Sequence, residues 1–230
     1  WPLGCEAYRA VLERHGIVDV VSGDIGHDFF HELVDDKFAD CEPKEIREVA
    51  DRWRGFLRCQ QSQANLEATV AVVGDSHAEH LFLGLAEALP DENVVYYIRS
   101  GELAVANSSP QMEKILGTVA ESESIHTVVI SNWWMLFGVP VEELEKTVAQ
   151  LVSSGKEVII TNDVPTAPFA AEECKQSPFV FAKRRCDFPA TDLQYSQTEV
   201  QRDLEQVTST SSSVQLVDTY GWFCQEGYCS

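Results

Sequence analysis

The sequence predicts an α/β fold in which a flavodoxin-like parallel sheet lies between two layers of helices. From Thr69 onward, short apolar runs with few polar interruptions alternate with amphipathic helical stretches, which is typical of parallel strands buried on both faces. The 230 residues are 44% hydrophobic and 23% charged, values of a globular protein rather than of a disordered chain or a fibre. Residues 1–68 have helical spacing but no good strand.

The first 68 residues are predicted to form an N-terminal helical extension. Residues 6–15 and 43–57 place apolar side chains at helical spacing. Pro43 stands in the first turn of the second stretch, where proline is favoured. Residues 24–40 between them are acidic and amphipathic. We therefore expect residues 1–68 to form the extension and residues 69–230 to form the α/β domain.

The α/β domain is predicted to contain five strands and four helices. The predicted strands are residues 69–73, 93–98, 125–130, 157–161 and 214–217, and the predicted helices are residues 77–89, 109–120, 141–153 and 194–206. Ligands and chemistry in such sheets lie at the carboxyl ends of the strands. The residues directly after each strand are therefore the candidates for a functional site.

The charge balance argues against nucleic-acid binding over most of the surface. Aspartate and glutamate total 37 against 17 lysines and arginines, a net charge of −20, and such a surface repels phosphate backbones.

No apolar run in the sequence approaches the roughly 20 residues that span a bilayer. The absence of a Gly-x-Gly-x-x-Gly motif and of a P-loop argues against a nucleotide or coenzyme cofactor. Because the chain begins Trp1-Pro2, without an initiator Met or a signal peptide, we expect a piece of a longer protein.

Seven cysteines suggest local disulfides. No Cys-x-x-Cys spacing occurs, which argues against a structural zinc site. Clustering of the cysteines is typical of loop staples formed in an oxidising compartment, and the alternative is seven reduced cysteines in the cytosol. The expected pairs are Cys41 with Cys59, Cys174 with Cys186 and Cys224 with Cys229, which leaves Cys5 unpaired.

The turn after the first predicted strand is the most distinctive motif. Gly74-Asp75-Ser76-His77 allows a sharp turn at the glycine and places Ser76 at the start of a helix. A hydroxyl there is exposed and lies beside backbone N–H groups that point toward a developing oxyanion, as a nucleophilic serine requires. The alternative is an ordinary Asp or Ser helix N-cap.

These residues resemble a known family. The block 74–81, Gly-Asp-Ser-His-Ala-Glu-His-Leu, resembles the first signature of the SGNH/GDSL hydrolase superfamily, and in particular the SGNH domains fused to membrane acyltransferase-3 proteins. Further similarity lies in Cys59-Gln60-Gln61-Ser62, in Cys174 and Cys186, and in Trp222-Phe223-Cys224 with Cys229, so that it covers roughly residues 41–230.

The resemblance implies three site residues. Ser76 would be the nucleophile, and its own N–H would join the oxyanion hole. Gly101, in Ser100-Gly101 after the second strand, would supply a second N–H, and Asn132, after the third strand, would supply its side-chain amide. The family's Gly-x-Asn-Asp form is absent, and the alternatives are a turn glycine and a capping or loop asparagine. Two tandem tryptophans, Trp133 and Trp134, are not both expected to face inward.

This sequence departs from the superfamily's pattern at the general base. That base is the histidine of an Asp-x-x-His after the last strand, in which the aspartate orients the histidine. No histidine follows His126 in this sequence. Either the motif lies beyond Ser230 or this member lacks one. His77 belongs to the family block, and we expect it to pack or hydrogen-bond locally, because its position next to Ser76 is poor for a base.

Two Asp-x-x-His spacings occur in the predicted extension. Asp24 with His27 and Asp28 with His31 would serve Ser76 only if the fold brought them to it, because triads are defined by geometry. His27 and His31 are also spaced to bind a metal on one helix face. A solvated acidic face explains the same pattern, and we expect no metal site.

A long segment, residues 162–192, contains four prolines and two cysteines but no clear element. Such loops often form binding surfaces. Its run Lys183-Arg184-Arg185 would meet an anionic glycan, a phospholipid headgroup or the protein's own acidic surface.

The resemblance implies the extracytoplasmic domain of an O-acyltransferase. A membrane acyltransferase domain outside this chain would tether it and deliver the acyl group, Ser76 would accept it as an ester, and a cell-surface carbohydrate hydroxyl would attack that ester. One alternative is a stand-alone carbohydrate O-acetyl esterase, in which water replaces the carbohydrate. Another is a non-catalytic glycan-binding domain without the base. A plain flavodoxin-like domain with a capping serine would require Ser76 to be buried.

Overall fold

A computed structural model describes residues 37–41, 46, 57–165 and 187–229 of the chain. Several predictions lie outside these residues. They are the helix over 6–15, most of the helix over 43–57, the Asp24/His27 and Asp28/His31 spacings, the Cys174–Cys186 pair and the basic run 183–185.

The described residues form two sheets. The strands are β1 Ala39–Asp40, β2 Leu57–Gln61, β3 Val70–Gly74, β4 Val94–Arg99, β5 Thr127–Ser131, β6 Glu157–Thr161, β7 Phe188–Pro189, β8 Val214–Val217, β9 Cys224–Gln225 and β10 Tyr228–Cys229. The main sheet has the order β1-β2-β4-β3-β5-β6-β8, and the small sheet has the order β7-β10-β9. Neighbouring strands from β4 to β8 of the main sheet run parallel.

The helices connect these strands as the sequence predicts. They are α1 Ser76–Ala88, α2 Pro110–Glu121, α3 Trp134–Phe137, α4 Val141–Ser153, α5 Gln194–Thr208 and α6 Tyr220–Phe223, with a 3-10 turn over Ala190–Leu193. The five predicted strands and four predicted helices are present within three residues of their expected bounds. The predicted α/β class is confirmed.

The two faces of the sheet bury alternate residues of each strand. On β3, Val70 and Val72 pack with Phe82 of α1 on one face. Ala71 and Val73 belong to the larger cluster on the other face, which also includes buried residues of α2, α4 and α5, among them Ile115, Leu144 and Leu204. Burial on both faces explains why the strands read as nearly continuous apolar runs.

The prediction that residues 1–68 contain no strand is wrong for two segments, β1 and β2. β2 pairs antiparallel with β4, and Cys59 lies opposite Tyr97. β1 in turn pairs antiparallel with β2. The sequence Leu-Arg-Cys-Gln-Gln of β2 has no β-branched residue, so its own propensity does not indicate a strand; pairing and burial in the tertiary structure decide it. The division of the chain at residue 68 stays a prediction.

Two predicted disulfides are present. Cys41–Cys59 joins the chain next to β1 to β2, and Cys224–Cys229 joins β9 to β10. β9 and β10 form a hairpin whose two-residue turn, Glu226-Gly227, has positive φ at both positions. β7 and the 3-10 turn fall at the end of the segment 162–192, for which no element was predicted, so that prediction is wrong there. No helix within the described residues has the length and apolar character needed to cross a membrane.

Candidate active site

The three candidate residues follow three adjacent strands of the sheet. Gly74, the last residue of β3, lies opposite Ile98 on β4 and opposite Ser131 on β5. Ser76 follows Gly74 by two positions, and Asn132 directly follows Ser131. Gly101 comes three positions after Ile98. The parallel register therefore places all three residues at the carboxyl edge of the sheet.

Gly74 is required by close packing at this edge. A Cβ atom at Gly74 would lie 1.8 Å from the Ser131 carbonyl oxygen and 2.8 Å from the Ala78 side chain. Real Cβ atoms essentially never approach another heavy atom within 3.0 Å, and the distance to the Ser131 oxygen is far below that limit. Glycine therefore lets the chain pass directly from β3 into α1 with β5 tightly alongside.

Asp75 caps the helix that begins at Ser76. Its Oδ1 accepts a hydrogen bond from the His77 backbone N–H at 2.8 Å, and its Oδ2 accepts one from the Trp133 N–H at 2.8 Å. This carboxylate joins the start of α1 to the residue after Asn132. Because Asp75 performs the capping and Ser76 is half-buried, the hydroxyl of Ser76 is not the N-cap group.

The carboxyl group of Asp75 is held in an unusual environment. Burial raises its pKa above the ordinary value, and the backbone hydrogen bonds from Trp133 and His77 offset only part of that effect. The nearby charge of His77 lowers the pKa further, whereas the charge of Asp163 raises it. The net direction is upward.

Asn132 is fully buried and has one half of its amide free. Its Oδ1 accepts a hydrogen bond from the Ala104 backbone N–H at 3.0 Å. Its Nδ2 has no hydrogen-bond partner among the described residues. Buried donors are usually paired, so an unpaired amide N–H at a strand end can donate a hydrogen bond to a ligand bound there. Ala104 follows Gly101 on the same loop, so Asn132 also anchors that loop.

The backbone conformation, rather than close packing, favours glycine at position 101. Its φ is +75°, in the left-handed region, and a Cβ atom there would meet nothing within 4 Å. The turn is closed by a hydrogen bond from the Glu102 N–H to the Arg99 carbonyl oxygen at 3.1 Å. These facts agree with the turn-glycine alternative, and a role for the Gly101 N–H stays a prediction.

His77 pairs with a distant aspartate rather than with a local group. Its Nδ1 lies 3.0 Å from Oδ1 of Asp163, which comes two residues after β6. The His77 ring stacks on Trp133, with centroids 5.1 Å apart and planes 17° apart. The local contact expected for His77 is therefore only part of its environment. Asp163 was missed in the sequence, although its place after a strand was the available signal.

Asp163 is itself a buried connector. It is 3% exposed, its Oδ2 accepts a hydrogen bond from the Met135 N–H at 2.9 Å, and its Oδ1 accepts one from the Val164 N–H at 2.8 Å. Asp75 and Asp163 thus bind the backbone on either side of Trp134. The segment that carries Asn132 is held by two carboxylates from two other strand ends.

The tandem tryptophans separate as predicted. Trp134 is fully buried, and its Nε1 donates to the Thr161 carbonyl oxygen at 2.9 Å. Trp133 is half-buried and stacks on His77. The Trp134 ring therefore belongs to the core, and the Trp133 ring lies beside the start of α1.

A cavity of about 480 Å³ lies beside Asp163, between α5 and the ends of β6 and β8. Asn162 connects these ends, because its Nδ2 donates to Asp218 at 2.8 Å and its Oδ1 accepts from the Thr219 N–H at 2.7 Å. Tyr220 also lines the cavity, and its hydroxyl is buried without a partner among the described residues. Burial, and then the charge of Asp163, raise the pKa of Tyr220.

No three histidine, cysteine, aspartate or glutamate side chains are grouped to hold a metal ion within residues 37–41, 46, 57–165 and 187–229. The His27 and His31 spacing lies outside those ranges. The arrangement at the strand ends is a half-buried serine at a helix start, beside a buried amide donor and a His–Asp pair. Such groups suit acyl chemistry.

Comparison with known proteins agrees with this fold. A solved structure, the periplasmic domain of the lipopolysaccharide acetyltransferase of Salmonella ser. Paratyphi A, has the same fold, with a TM-score of 0.58 and 11% sequence identity. The match covers 91% of this chain and 84% of that one. No curated protein matches the chain significantly. The sequence model of the family described as "SGNH domain (fused to AT3 domains)" matches residues 40–230. The chain therefore belongs to the family of SGNH domains that are fused to AT3 domains.

Proposed function

We propose that this chain is the extracytoplasmic domain of an O-acyltransferase that acetylates a cell-surface carbohydrate. Ser76 Oγ attacks the carbonyl carbon of the acyl donor, the donor's leaving group departs with a proton, and an ester forms on Ser76. A carbohydrate hydroxyl then attacks that ester, the new carbohydrate ester leaves, and Ser76 recovers its proton. The membrane acyltransferase domain to which the family is fused would deliver the acyl group.

The observation that supports this proposal is that Ser76 and Asn132 follow neighbouring parallel strands at the same edge of the sheet. Ser76 begins α1 and is half-buried, while the buried Asn132 keeps Nδ2 unpaired among the described residues. Because Ala104 N–H binds Oδ1, the amide is oriented with its donor side unused. An amide donor beside a nucleophile stabilises the tetrahedral oxyanion of acyl transfer. The Gly101 and Ser76 N–H groups complete the oxyanion hole in this proposal.

The location proposed for the domain follows from its disulfides and its fold relative. Cys41–Cys59 and Cys224–Cys229 are stable in an oxidising compartment and rare in the cytosol. The solved domain with the same fold is described as periplasmic. We therefore place this domain in the periplasm or outside the cell, tethered through its membrane partner.

We do not assign the role of general base to His77. No Asp-x-x-His follows β8 in the sequence, and consecutive residues of a helix such as Ser76 and His77 point in directions about 100° apart. Nδ1 of His77 also faces Asp163. We therefore assign His77 and Asp163 to positioning rather than to proton transfer.

Turnover of 4-nitrophenyl acetate, together with mass spectrometry of the Ser76 peptide, tests the proposal. The full-length polypeptide should hydrolyse the ester slowly and acetylate Ser76. Ser76→Ala should lower the rate by roughly 10³-fold or more. Ser122→Ala is the control, because its hydroxyl binds the Ile125 N–H at the opposite edge of the sheet. If the full-length protein forms no ester on Ser76 and hydrolyses 4-nitrophenyl acetate no faster than buffer does, the proposal is overturned in favour of a non-catalytic domain.

Adding a carbohydrate acceptor separates transfer from hydrolysis. A transferase moves the acetyl group to the acceptor and releases little acetate, whereas an esterase releases acetate whether or not the acceptor is present. If the rate of acetate release is the same with and without the acceptor, the esterase alternative replaces the transferase proposal.

A further inference from the structure

A buried arginine on β2 connects two parts of the candidate site. The Nε of Arg58 donates to Oε1 of Glu79 at 2.8 Å, and its Nη2 donates to Oε2 of Glu79 at 2.7 Å. The side chains of Arg58 and Glu79 are 8% and 3% exposed. The remaining terminal nitrogen, Nη1, donates to Ser100 Oγ at 3.1 Å. One guanidinium therefore holds two partners from different elements.

The two partners of Arg58 adjoin the two sides of the proposed oxyanion hole. Glu79 lies on α1 three residues after Ser76, and residues three apart in a helix lie on the same face. Ser100 immediately precedes Gly101, whose φ of +75° defines the turn after β4. Arg58 itself lies opposite Ile98 near the carboxyl end of β4.

The geometry of this contact is rigid. A planar guanidinium that binds a carboxylate through two parallel hydrogen bonds has a fixed orientation, and burial removes competing water. Its third contact with Ser100 therefore has a fixed direction as well. An ion pair of this kind is weak evidence for stability, since two apolar residues often replace it without loss. Its directional contact with Ser100 is the property that apolar residues lack.

We propose that Arg58 is a positioning residue of the oxyanion hole. It is anchored to the nucleophile helix through Glu79 and holds the Ser100-Gly101 turn in the orientation that directs the Gly101 N–H toward the ester bound at Ser76. This inference rests on the proposed function, and it assigns a role to a strand that lies outside the five parallel strands.

The variant Ser100→Ala tests the proposal with little risk to folding. It removes one hydroxyl from a part-buried contact and leaves the Arg58–Glu79 ion pair intact. Arg58→Lys is the second variant, because lysine keeps the charge and loses the fork that binds both partners. Ser62→Ala is the matched control. Its hydroxyl accepts a hydrogen bond from the Val94 N–H at 2.9 Å, at the opposite end of β4.

Two measurements on the full-length polypeptide decide the outcome. Kinetics with 4-nitrophenyl acetate should show kcat lowered by about 10-fold in Ser100→Ala with KM unchanged, because an oxyanion contact forms only in the transition state. Spectra of protein labelled with 15N-glycine should show the Gly101 amide resonance displaced in Ser100→Ala and in Arg58→Lys. Ser62→Ala should change neither quantity.

The results distinguish this inference from the proposed function. An unmoved Gly101 resonance in Ser100→Ala, or a kcat equal to that of Ser62→Ala in an active protein, would overturn the positioning role. If the wild-type polypeptide forms no ester on Ser76, the proposed function fails and the catalytic part of this inference fails with it. The Gly101 resonance would then still report whether Arg58 orients the turn.

Discussion

The imidazole Nδ1 of His77 lies 3.0 Å from Oδ1 of Asp163, although the two residues are 86 positions apart. This contact joins the start of α1 to the turn after β6. The same carboxylate accepts a hydrogen bond from the Met135 N–H, so it also fixes the segment after β5. Three strand ends therefore meet at one buried side chain next to the proposed nucleophile.

Loss of the Asp163 carboxylate should destabilise the protein. In Asp163→Ala the Met135 N–H and the His77 ring lose a buried acceptor, which should lower the free energy of unfolding by about 1–3 kcal/mol. Asp203→Ala is the control, because Asp203 pairs with Arg202, whose side chain is 67% exposed, and the change should stay within about 0.5 kcal/mol. Urea unfolding measures both. Equal losses in the two variants would contradict a buried connecting role for Asp163.

Removal of the Asn132 amide should affect catalysis more than stability alone explains. Asn132→Ala deletes the unpaired Nδ2 donor, and loss of one oxyanion donor lowers kcat by about 10²–10³-fold. Asn132→Asp keeps an acceptor for the Ala104 N–H but places a negative charge beside the oxyanion, so it should be at least as inactive.

Asn93→Ala provides the comparison for Asn132. Asn93 is 3% exposed and binds the Leu66 carbonyl oxygen at 2.8 Å, at the opposite edge of the sheet. Its loss should reduce thermal stability while kcat changes less than about 3-fold. If Asn132→Ala and Asn93→Ala lowered kcat equally, the oxyanion assignment of Asn132 would be wrong.

Two glycines of the same region should respond in opposite directions to alanine. Gly74→Ala places a Cβ atom 1.8 Å from the Ser131 carbonyl oxygen, and relief requires α1 or β5 to move. We expect a loss of at least about 3 kcal/mol in the free energy of unfolding, or no folded protein. Gly84→Ala, within α1, meets nothing within 4 Å and should stabilise the protein by roughly 0.5–1 kcal/mol. Chemical denaturation of both variants checks the contrast, and a tolerated Gly74→Ala would refute the close packing.

The raised pKa of Asp75 predicts a pH dependence of stability with a defined sign. The folded protein keeps this proton to a higher pH than the unfolded chain, whose carboxyl group titrates near 3.8. Over that window the folded state binds more protons, so the contribution of Asp75 to the free energy of unfolding falls as the pH rises.

The variant Asp75→Asn isolates this contribution because it does not titrate. The difference in the free energy of unfolding, wild type minus Asp75→Asn, should decrease as the pH rises from about 4 through the raised pKa and then become constant. Urea unfolding at a series of pH values measures it. A difference that increases with pH over this range would mean that the pKa is lowered in the folded protein.

The sequence determined the elements whose signals are local. Apolar periodicity located β3 through β6, β8 and the four long helices, because burial on one or two faces repeats at a fixed spacing along the chain. The block that begins at Gly74 indicated the family. The clustering of the cysteines indicated Cys41–Cys59, which brackets a predicted helix, and Cys224–Cys229, which encloses four residues. Ser76 could be singled out because its helix start follows a strand directly.

The tertiary structure decided which side chains meet. The Arg58–Glu79 and His77–Asp163 contacts join residues 21 and 86 positions apart, and no local pattern encodes such pairs. They depend on strand order and register, which bring the ends of separate strands to one edge of the sheet. β2 is the same case, since its polar sequence becomes a strand only when β4 supplies hydrogen bonds. The orientation of Asn132, with its donor unused, likewise follows from the Ala104 contact, because packing across the sheet rather than periodicity along the chain sets it.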